Sequence, residues 1–401
     1  MPTRSKKRAL YIAAESAFST DPDQDGSDYT AVFTQDLSFV DPGNEPLETN
    51  YYNGRNTTTA GERGNDSAAI TFSTPAIGLA AAAGDGTAAS SNSDDWFDLL
   101  MNNAFGANVS TTGEGVQDSA TTSASVLDLD TDAFNDQDVI AIQDSAYNSG
   151  YAEIRRLGGD PDPYSLHRNF GGTPPDAAVA YGAKHWRGPV DGGGGSYLSA
   201  SVVLDDLTYL LTGGRMNSLG FSMTAGQLAQ FTYGMQFNDR LEDATNKTSL
   251  AAISTFSGSP IKGQLGTVAW GATEYAVGSV SIDFGLQTSE IQSVAGAQGR
   301  SNIHVMSAHP TVTITPLYAT VWDTDFTAGT NRTLEVKIGS GSVSGGVMNC
   351  LSFFAEAAEV MAPPAGQDDN NHPRQSVQFA VRDAGTFVGT TAAHYFQLSR
   401  F

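Results

Sequence analysis

The sequence predicts a mainly β protein with one or two short helices. Three observations support this prediction: apolar and polar residues alternate in many short segments, few segments have helical periodicity, and glycine is abundant. Glycine accounts for 43 of the 401 residues, whereas its average share in proteins is about 7%. Alternation with a period of two is typical of a strand that buries one face.

The clearest alternation lies between residues 198 and 237. Apolar residues alternate with polar or small ones in 231–237 and in 219–223. Two further apolar segments, 198–204 and 207–211, flank an Asp-Asp pair that suits a tight turn. Together these segments predict a meander of four antiparallel strands. Later alternating segments predict further strands at 311–315, 334–338 and 377–381.

The best helix candidate is 94–103. It places Trp96, Leu99 and Leu100 at helical spacing, and its first turn carries two acidic residues that complement the helix dipole. From about 108 to 195 the chain becomes rich in Ser, Thr, Asp and Gly. An irregular stretch of this length is uncommon within a compact domain. We therefore expect a loop-rich insertion there.

Composition excludes several classes of protein. The formal net charge of −23 disfavours ordinary nucleic-acid binding, which needs a basic surface. No apolar run approaches the ~20 residues of a membrane helix, and the apolar stretch 9–14 is shorter than a secretory signal requires. A single cysteine, Cys350, rules out an intramolecular disulfide framework and favours a reducing compartment.

The acidity has two interpretations. It can serve solubility or a salty environment, and it can instead form a surface that repels a polyanion. Net charge alone does not distinguish them.

Two pairs of segments indicate an internal repeat. Residues 37–55 resemble 282–300, with Phe39 matching Phe284, and 213–221 resemble 345–353 at six of nine positions. Both pairs occur in the same order. The spacing between the blocks is longer in the first half, where composition already indicates an insertion. We therefore predict two tandem domains, 1–245 with the insertion at about 108–195, and 246–401.

The sequence offers little support for catalysis or metal binding. Its six histidines fit no zinc pattern, and no nucleophile elbow, phosphate loop or dinucleotide fingerprint occurs. Asp21, Asp23 and Asp25 resemble the start of a calcium loop, but Val32 stands where the bidentate glutamate should be. We expect no catalytic residue, no metal and no cofactor, with these aspartates as a weak calcium candidate.

Three segments resemble a known family. Residues 8–22 resemble the opening of siphophage tail tube proteins, also called major tail proteins, in which a strand leads to an A-x-E-T/S-x-x-x-T-D-P turn. Residues 96–106, with the sequence WFDLLMNNAFG, resemble the family's helix, and 210–226 resemble its L-x-G-A-R-G-x-V-S-F-x-L-T-A-G segment. The second half matches mainly through the internal repeat.

The resemblance implies a β-sandwich or barrel with a short flanking helix. It also implies that copies join edge to edge into rings, which stack into a hollow tube through which DNA is ejected. With a duplicated domain the ring would be a trimer with pseudo-sixfold symmetry, and a hexamer is the alternative. The partners would be further copies and other phage tail proteins, with DNA passing unbound and no membrane. The location would be the virion tail, after assembly in the host cytoplasm.

The resemblance also suggests where contacts and lumen lie. We expect the loops 41–55 and 286–300 and the arm 1–7 to contact neighbouring rings or subunits. The contact candidates are Pro42, Glu45, Tyr51, Arg55, Glu290 and Arg300. Polar strand residues would line the channel, and the candidates are Thr232, Gln236 and Glu335.

Two other classes of protein share parts of this profile. Another virion or surface structural protein, such as a capsid subunit, tail terminator or array protein, would also be rich in β-strands and glycine and poor in cysteine. An acidic all-β hydrolase would need carboxylates at a fixed separation, and nothing in the sequence selects such a pair.

Overall fold

The structure is a computed structural model of the 401-residue chain. It describes residues 8–401 except for 23–26, 41–45, 48–61, 64–67, 79–95, 108, 111–113, 117–122, 124, 130–133, 135–137, 144–152, 159–163, 167, 170–178, 189–194, 205–206, 243–259, 265, 295–298, 340–342, 345–346, 370–371 and 383–395.

The described part of the first half is mostly strand. Its elements before the expected insertion are β1 (Arg8–Ala14), β2 (Thr30–Val32), β3 (Gln35–Val40), β4 (Pro46–Leu47), β5 (Glu62–Arg63), β6 (Ala68–Pro75) and helix α1 (Trp96–Phe105). Within it lie β7 (Val109–Ser110), β8 (Glu114–Val116), β9 (Val126–Leu127), β10 (Val139–Gln143), β11 (Glu153–Arg156), β12 (Tyr164–Ser165), β13 (Val179–Tyr181) and β14 (Lys184–Arg187). After it come β15 (Leu198–Leu204), β16 (Leu207–Thr224), β17 (Gln230–Phe237) and β18 (Asp239–Glu242).

The second half repeats this composition of elements. It contains β19 (Thr267–Trp270), β20 (Thr273–Tyr275), β21 (Val277–Asp283), β22 (Leu286–Gln292), β23 (Arg300–Ala308), β24 (Thr311–Pro316), helix α2 (Val321–Ala328), β25 (Arg332–Ile338), β26 (Val343–Ser344), β27 (Val347–Met348), β28 (Leu351–Val360), β29 (Ala365–Asp369), β30 (His372–Arg382) and β31 (Phe396–Arg400). The mainly β prediction is confirmed.

Strand pairing follows the same scheme in both halves, and every pair is antiparallel. In the first half β2 pairs with β1, β1 with β15, β15 with β16, β16 with β17 and β18, β17 with β6, and β6 with β3. In the second half β20 pairs with β19, β19 with β25, β25 with β28, β28 with β30 and β31, β30 with β24, and β24 with β21. The helices α1 and α2 occupy the same place in the two orders.

Two pairings between described strands connect the halves. Strand β16 pairs with β21 over five residue pairs, from Gly220–Asp283 to Thr224–Ser279. Strand β14, which lies inside the expected insertion, pairs with β31. The halves therefore share one continuous hydrogen-bonded sheet system.

The main core lies between the sheets and under the helices. Helix α1 buries Trp96, Phe97, Leu100 and Met101, since these residues recur at helical spacing on one face. Around α2, Trp322 packs against the rings of Trp270, Tyr275 and Phe379. A second, smaller core in the expected insertion is formed by Leu127, Leu129, Phe134, Ile140, Ile142 and Leu157.

Polar groups also fix this core. The buried side chain of Asn103 on α1 donates to the carbonyls of Ser196 and Gly214 and accepts from the backbone N–H of Met216. Glu15 follows β1 and is also buried; its carboxylate accepts from Ser199, from Gly213 and from the Ser19 backbone. Burial raises the Glu15 pKa, although these hydrogen bonds oppose the rise.

Three local expectations need correction. The meander contains three strands rather than four, because 207–224 is one uninterrupted strand, β16. Helix α1 is described from Trp96 and includes Phe105; Gly106, with a positive φ of 94°, follows it. Helix α2 was not predicted individually, since its eight residues bury only Trp322 and Asp325 and give almost no apolar periodicity.

Candidate functional site: a polar face of the sheet

Eight described strands follow one another across the sheet. Their order by pairing is β3, β6, β17, β16, β21, β24, β30 and β28. The first four belong to the first half of the chain and the last four to the second. This run, called here the eight-strand run, therefore passes from one half to the other through the β16–β21 pair.

One face of the eight-strand run is apolar and buried. On β17, Phe231, Tyr233, Met235 and Phe237 are all fully buried. The other face is polar and carries mainly hydroxyl and amide side chains. One rung of cross-strand partners on it consists of Gln230, Ser222, Ser281, Thr313 and Gln378. Thr232, an expected lumen residue, is exposed on this face, with Ser73 and Gly220 as its cross-strand partners.

Few charges lie on the polar face. Strands β3, β6, β17, β21 and β24 contain no lysine or arginine, and neither does the 218–224 part of β16. On the outermost strands Arg382 is paired with Glu359, at 3.0 Å between Nε and Oε2. Asp283 adds an exposed carboxylate. The face is therefore close to neutral and poor in cations.

A hairpin formed by β22 and β23 covers one end of this face. Gly285, with a positive φ of 57°, starts it; a Cβ there would stand 2.5 Å from the His309 carbonyl oxygen, so glycine suits this position. The hairpin is fixed to β16 and β17. Its Ile303 carbonyl accepts from buried Arg215 at 3.2 Å, and Gln236 donates to Glu290.

The hairpin brings three expected site residues together. Glu290 pairs with Arg300 at 2.8 Å between Oε2 and Nε, and Glu290 also accepts from Gln236. Two apolar residues near the tip are open to solvent: Val294 is 109% exposed and Ile291 is 45% exposed. These two side chains make the tip of the hairpin a candidate contact surface.

Glu335 lies elsewhere. It is on β25, outside the eight-strand run, and its carboxylate accepts from Arg168 at 2.7 Å. Arg168 also pairs with Glu274. Burial lowers the Arg168 pKa, but Glu335 and Glu274 outweigh it and raise the pKa above its usual value. Glu335 thus holds part of the expected insertion against β25, away from Thr232.

Several expected site residues lie outside the described part of the chain. These are Pro42, Glu45, Tyr51 and Arg55, together with Asp23, Asp25 and the arm 1–7. Of the calcium candidates only Asp21 is described, and its carboxylate accepts from the Tyr29 hydroxyl at 2.9 Å.

The described residues contain no group of three or more His, Cys, Asp or Glu side chains that could hold a metal. Cys350 is fully buried, and burial raises its pKa to about 12, which suppresses the reactive thiolate. Among the described helices, none is long and apolar enough to span a membrane.

Sequence reasoning missed the extent of the hairpin. The segment 286–300 was expected to be a loop, yet 286–292 and 300–308 form strands. The signal was weak because the hairpin's exposed face is irregular, with bulges at two places in its register. It also missed the role of Arg215, whose guanidinium stacks 4.0 Å from the Tyr197 ring centroid and anchors the hairpin.

The described chain is mainly β, with a polar sheet face and a hairpin that exposes apolar side chains near its tip, as expected of a structural subunit. A family model described as phage tail tube protein matches residues 5–381. The chain therefore belongs to the phage tail tube protein family, whose members are structural proteins of the virion tail. No curated protein matches the chain.

Proposed function

We propose that this chain assembles into rings that stack into a hollow tail tube, and that the tube conducts DNA during ejection. The observation that carries the proposal is the eight-strand run, which has a cation-poor polar face and ends at β3 and at the part of β28 beyond Ala358, the last residue of β28 that pairs with β25. Strand edges that face solvent favour pairing with another chain. Family membership supports the same conclusion.

The proposed ring is a trimer of two-domain chains. The strand-pairing schemes of the two halves correspond to each other, which supports a duplication. Each copy of the chain then supplies two similar units to the ring. Three copies would contribute three times eight strands. With about 4.8 Å between strands and a tilt of about 40°, the barrel would be roughly 48 Å across between backbones. A hexamer would be about twice as wide.

In this arrangement the polar face lines the lumen. DNA binding is driven by phosphate contacts with Lys and Arg, and neither residue occurs in β17, β21, β24 or the 218–224 part of β16. Short hydroxyl side chains such as Thr232 leave the bore smooth and nearly neutral. DNA would therefore slide without being held.

We expect Thr232→Lys to impair DNA passage while tubes still form. A ring of added ammonium groups would bind phosphates and release counterions, and we expect a loss of plaque-forming efficiency of about tenfold or more. The measurement is plaque formation by virions that carry the variant, with tail length checked by electron microscopy. Thr232→Gln is the control, since it adds length without charge; an equal loss for both variants would contradict the lumen assignment.

The hairpin of β22 and β23 is the proposed stacking contact, with the loop 41–55, of which only 46–47 are described, as its first-half counterpart. The exposed tip residues Ile291 and Val294 would be covered by the next ring. Replacing both with aspartate should leave a folded chain that forms short tubes or single rings, because burying two carboxylates is costly. The measurement is the tube length distribution by electron microscopy.

The control for the hairpin variant is Leu241→Asp. Leu241 is 55% exposed on β18, which is not part of the hairpin. Tubes of normal length from the Ile291→Asp, Val294→Asp variant would refute the stacking role, and so would equal shortening by the control. Deleting Pro42–Asn53 tests the first-half loop in the same assay, with a folded chain that builds no tubes as the expected result.

The direct test of the proposed function is negative-stain electron microscopy of the purified protein over a range of concentrations. Hollow tubes or stacked rings are the expected result, and top views would separate three-lobed from six-lobed rings. Shells or sheets would instead support a different structural protein. Monomers at all concentrations, with or without other tail proteins, would overturn the proposal.

A further inference from the structure

The two halves can be aligned by combining their strand pairing with the sequence repeat, in which Phe39 matches Phe284 and Ser38 therefore matches Asp283. In the first half one rung runs from Ser38 through Thr71 and Gly234 to Ser218. In the second half the corresponding rung runs through four strands that occupy the same places, and it consists of Asp283, Thr311, Ala380 and Glu359. Ser38 therefore corresponds to Asp283, and Ser218 corresponds to Glu359.

Asp283 has a further neighbour that Ser38 lacks. Strand β21 pairs with β24 on one side and with β16 on the other, where Asp283 faces Gly220. Strand β3 pairs with β6 only, within the described residues. Each of the other pairings in the eight-strand run occurs in both halves. Within the described residues, β3 therefore lacks the partner strand that β16 provides for β21.

The missing partner can be located on the chain. Gly220 lies two residues after Ser218, so its counterpart lies two residues after Glu359, at Met361. Met361 continues the β28–β30 pairing, because its N–H donates to the Gln378 carbonyl at 2.8 Å. Met361, Ala362 and Pro363 are all exposed, and Met361 is 48% exposed despite its apolar side chain.

A groove of about 350 Å³ lies beside the free edge of β3. It is lined by Arg8, Val32, Phe33, Gln35, Pro75 and Leu228 among others. At the equivalent place in the second half, the end of β16 covers β21 with Phe221 and Met223, which face Ile282 and Val280. Because Met361 corresponds to Gly220, Ala362 corresponds to Phe221 and Pro364 corresponds to Met223.

We propose that Ser38 at the edge of β3 pairs with Met361 of a neighbouring copy, so that Ala362 and Pro364 cover the groove. This inference rests on the proposed ring assembly and specifies its subunit interface. It makes the contact between chains a repeat of the contact between the two halves of one chain.

The chemistry of both edges fits a short contact. Pro363 and Pro364 have no N–H to donate, so they limit backbone pairing at this edge to the residues before them, and their apolar rings suit a groove lined by Phe33 and Leu228. On the other edge the Arg8 guanidinium donates to the Leu37 carbonyl at 2.8 Å. A carbonyl oxygen can accept a second hydrogen bond, so this contact and strand pairing are compatible.

Disulfide cross-linking tests the register directly. The Phe284 N–H donates to the Leu219 carbonyl, which makes the adjacent pair, Gly220 and Asp283, a non-hydrogen-bonded pair. Such pairs have Cα atoms about 4.5 Å apart, within the range of about 4.4–6.8 Å that a disulfide spans. The variant is Ser38→Cys with Met361→Cys in the full chain, where Cys350 is buried.

Under oxidation the double variant should form covalent oligomers in a denaturing gel without reductant, with a ladder that ends at the number of copies in a ring. A mixture of the two single variants should stop at dimers. The matched control is Ser38→Cys with Leu241→Cys, which pairs the same edge with an exposed residue on β18. Equal cross-linking by this control would overturn the proposal.

Electron microscopy of the same samples, under reducing conditions, separates the two proposals. Rings or tubes from the double variant without covalent oligomers after oxidation would overturn the interface but leave the proposed function standing. Failure of both the variants and the unmodified chain to assemble would refute the proposed function, and the interface with it.

Discussion

Asp98→Ala is expected to lower the free energy of unfolding by about 3–5 kcal/mol, the range for removing one partner of a buried ion pair. Asp98 is only 4% exposed on α1. Its carboxylate pairs with Lys184 on β14 and accepts from Arg400 on β31 at 3.1 Å. Without Asp98 these two buried cations lose the carboxylate that they share. Urea unfolding measures the loss.

Asp323→Ala is the matched control for this substitution. Asp98 and Asp323 each lie in the first turn of a helix, but Asp323 is exposed on α2. Loss of the helix-dipole interaction alone costs about 0.3–1 kcal/mol. A similar small effect for both variants would contradict the importance of the buried network. The variant with Asp98→Leu, Lys184→Met and Arg400→Met should recover much of the stability, because it leaves no unpaired charge.

Mild acid is expected to destabilise the fold through His185. Burial, followed by the charge of Arg187, lowers the His185 pKa from 6.5 to about 3. Nδ1 of the His185 ring forms a hydrogen bond with the Ser399 hydroxyl at 2.9 Å. The Asp138 carboxylate lies 3.9 Å from Nε2 of the ring and 3.6 Å from the Arg187 guanidinium, so it is closer to the arginine. The folded chain therefore keeps this histidine neutral where the unfolded chain binds a proton.

The sign of the effect follows from this difference in pKa. The stability associated with neutral His185 is complete above pH 6.5 and is lost as the pH falls toward 3. Between pH 7 and 4.5 the loss is about 2–3 kcal/mol, at 1.36 kcal/mol per pKa unit. Urea unfolding of the unmodified chain and of His185→Gln at both pH values measures it. The variant should lose this part of the pH dependence, and the control His309→Gln, at an exposed position, should not.

Local alternation predicted most of the strands that bury one face. Segments 231–237, 311–315 and 377–381 lie within β17, β24 and β30, because a half-buried strand must alternate. The same signal failed for β16. Residues 212–218 include two glycines and the buried polar residues Arg215 and Thr212. They interrupt the alternation of apolar and polar residues, so the pattern does not reveal that β16 is one strand. Its first part pairs with β15 and β18 and its second part with β17 and β21.

The two sequence matches do not give one consistent strand equivalence. The match of Phe39 to Phe284 places Ser38 at Asp283, and strand pairing carries these positions to Ser218 and Glu359. The second match would equate Ser218 with Cys350, whereas pairing equates it with Glu359, nine residues later. Side-chain similarity in a glycine- and serine-rich chain is therefore a weaker guide than hydrogen-bond position.

The candidate site was less accessible to sequence reasoning than the fold. Thr232 was identified because it alternates with buried aromatic residues, a local property. Gln236 satisfies the same rule but lies beneath the β22–β23 hairpin and bonds Glu290, which depends on contacts between residues distant in sequence. Overall acidity suggested a surface that repels a polyanion, yet the polar face owes its character to hydroxyl groups rather than carboxylates.

Strand β16 has a mechanical consequence. Its first part is paired with β15 and β18 and its second part with β17 and β21. A tensile force along β16 loads the five β21 pairs in shear, so they must rupture together rather than open one by one. The proposed contact between copies contains two prolines and fewer backbone bonds. Under bending or stretching, a tube would yield at the seams between chains before the two halves of any chain came apart.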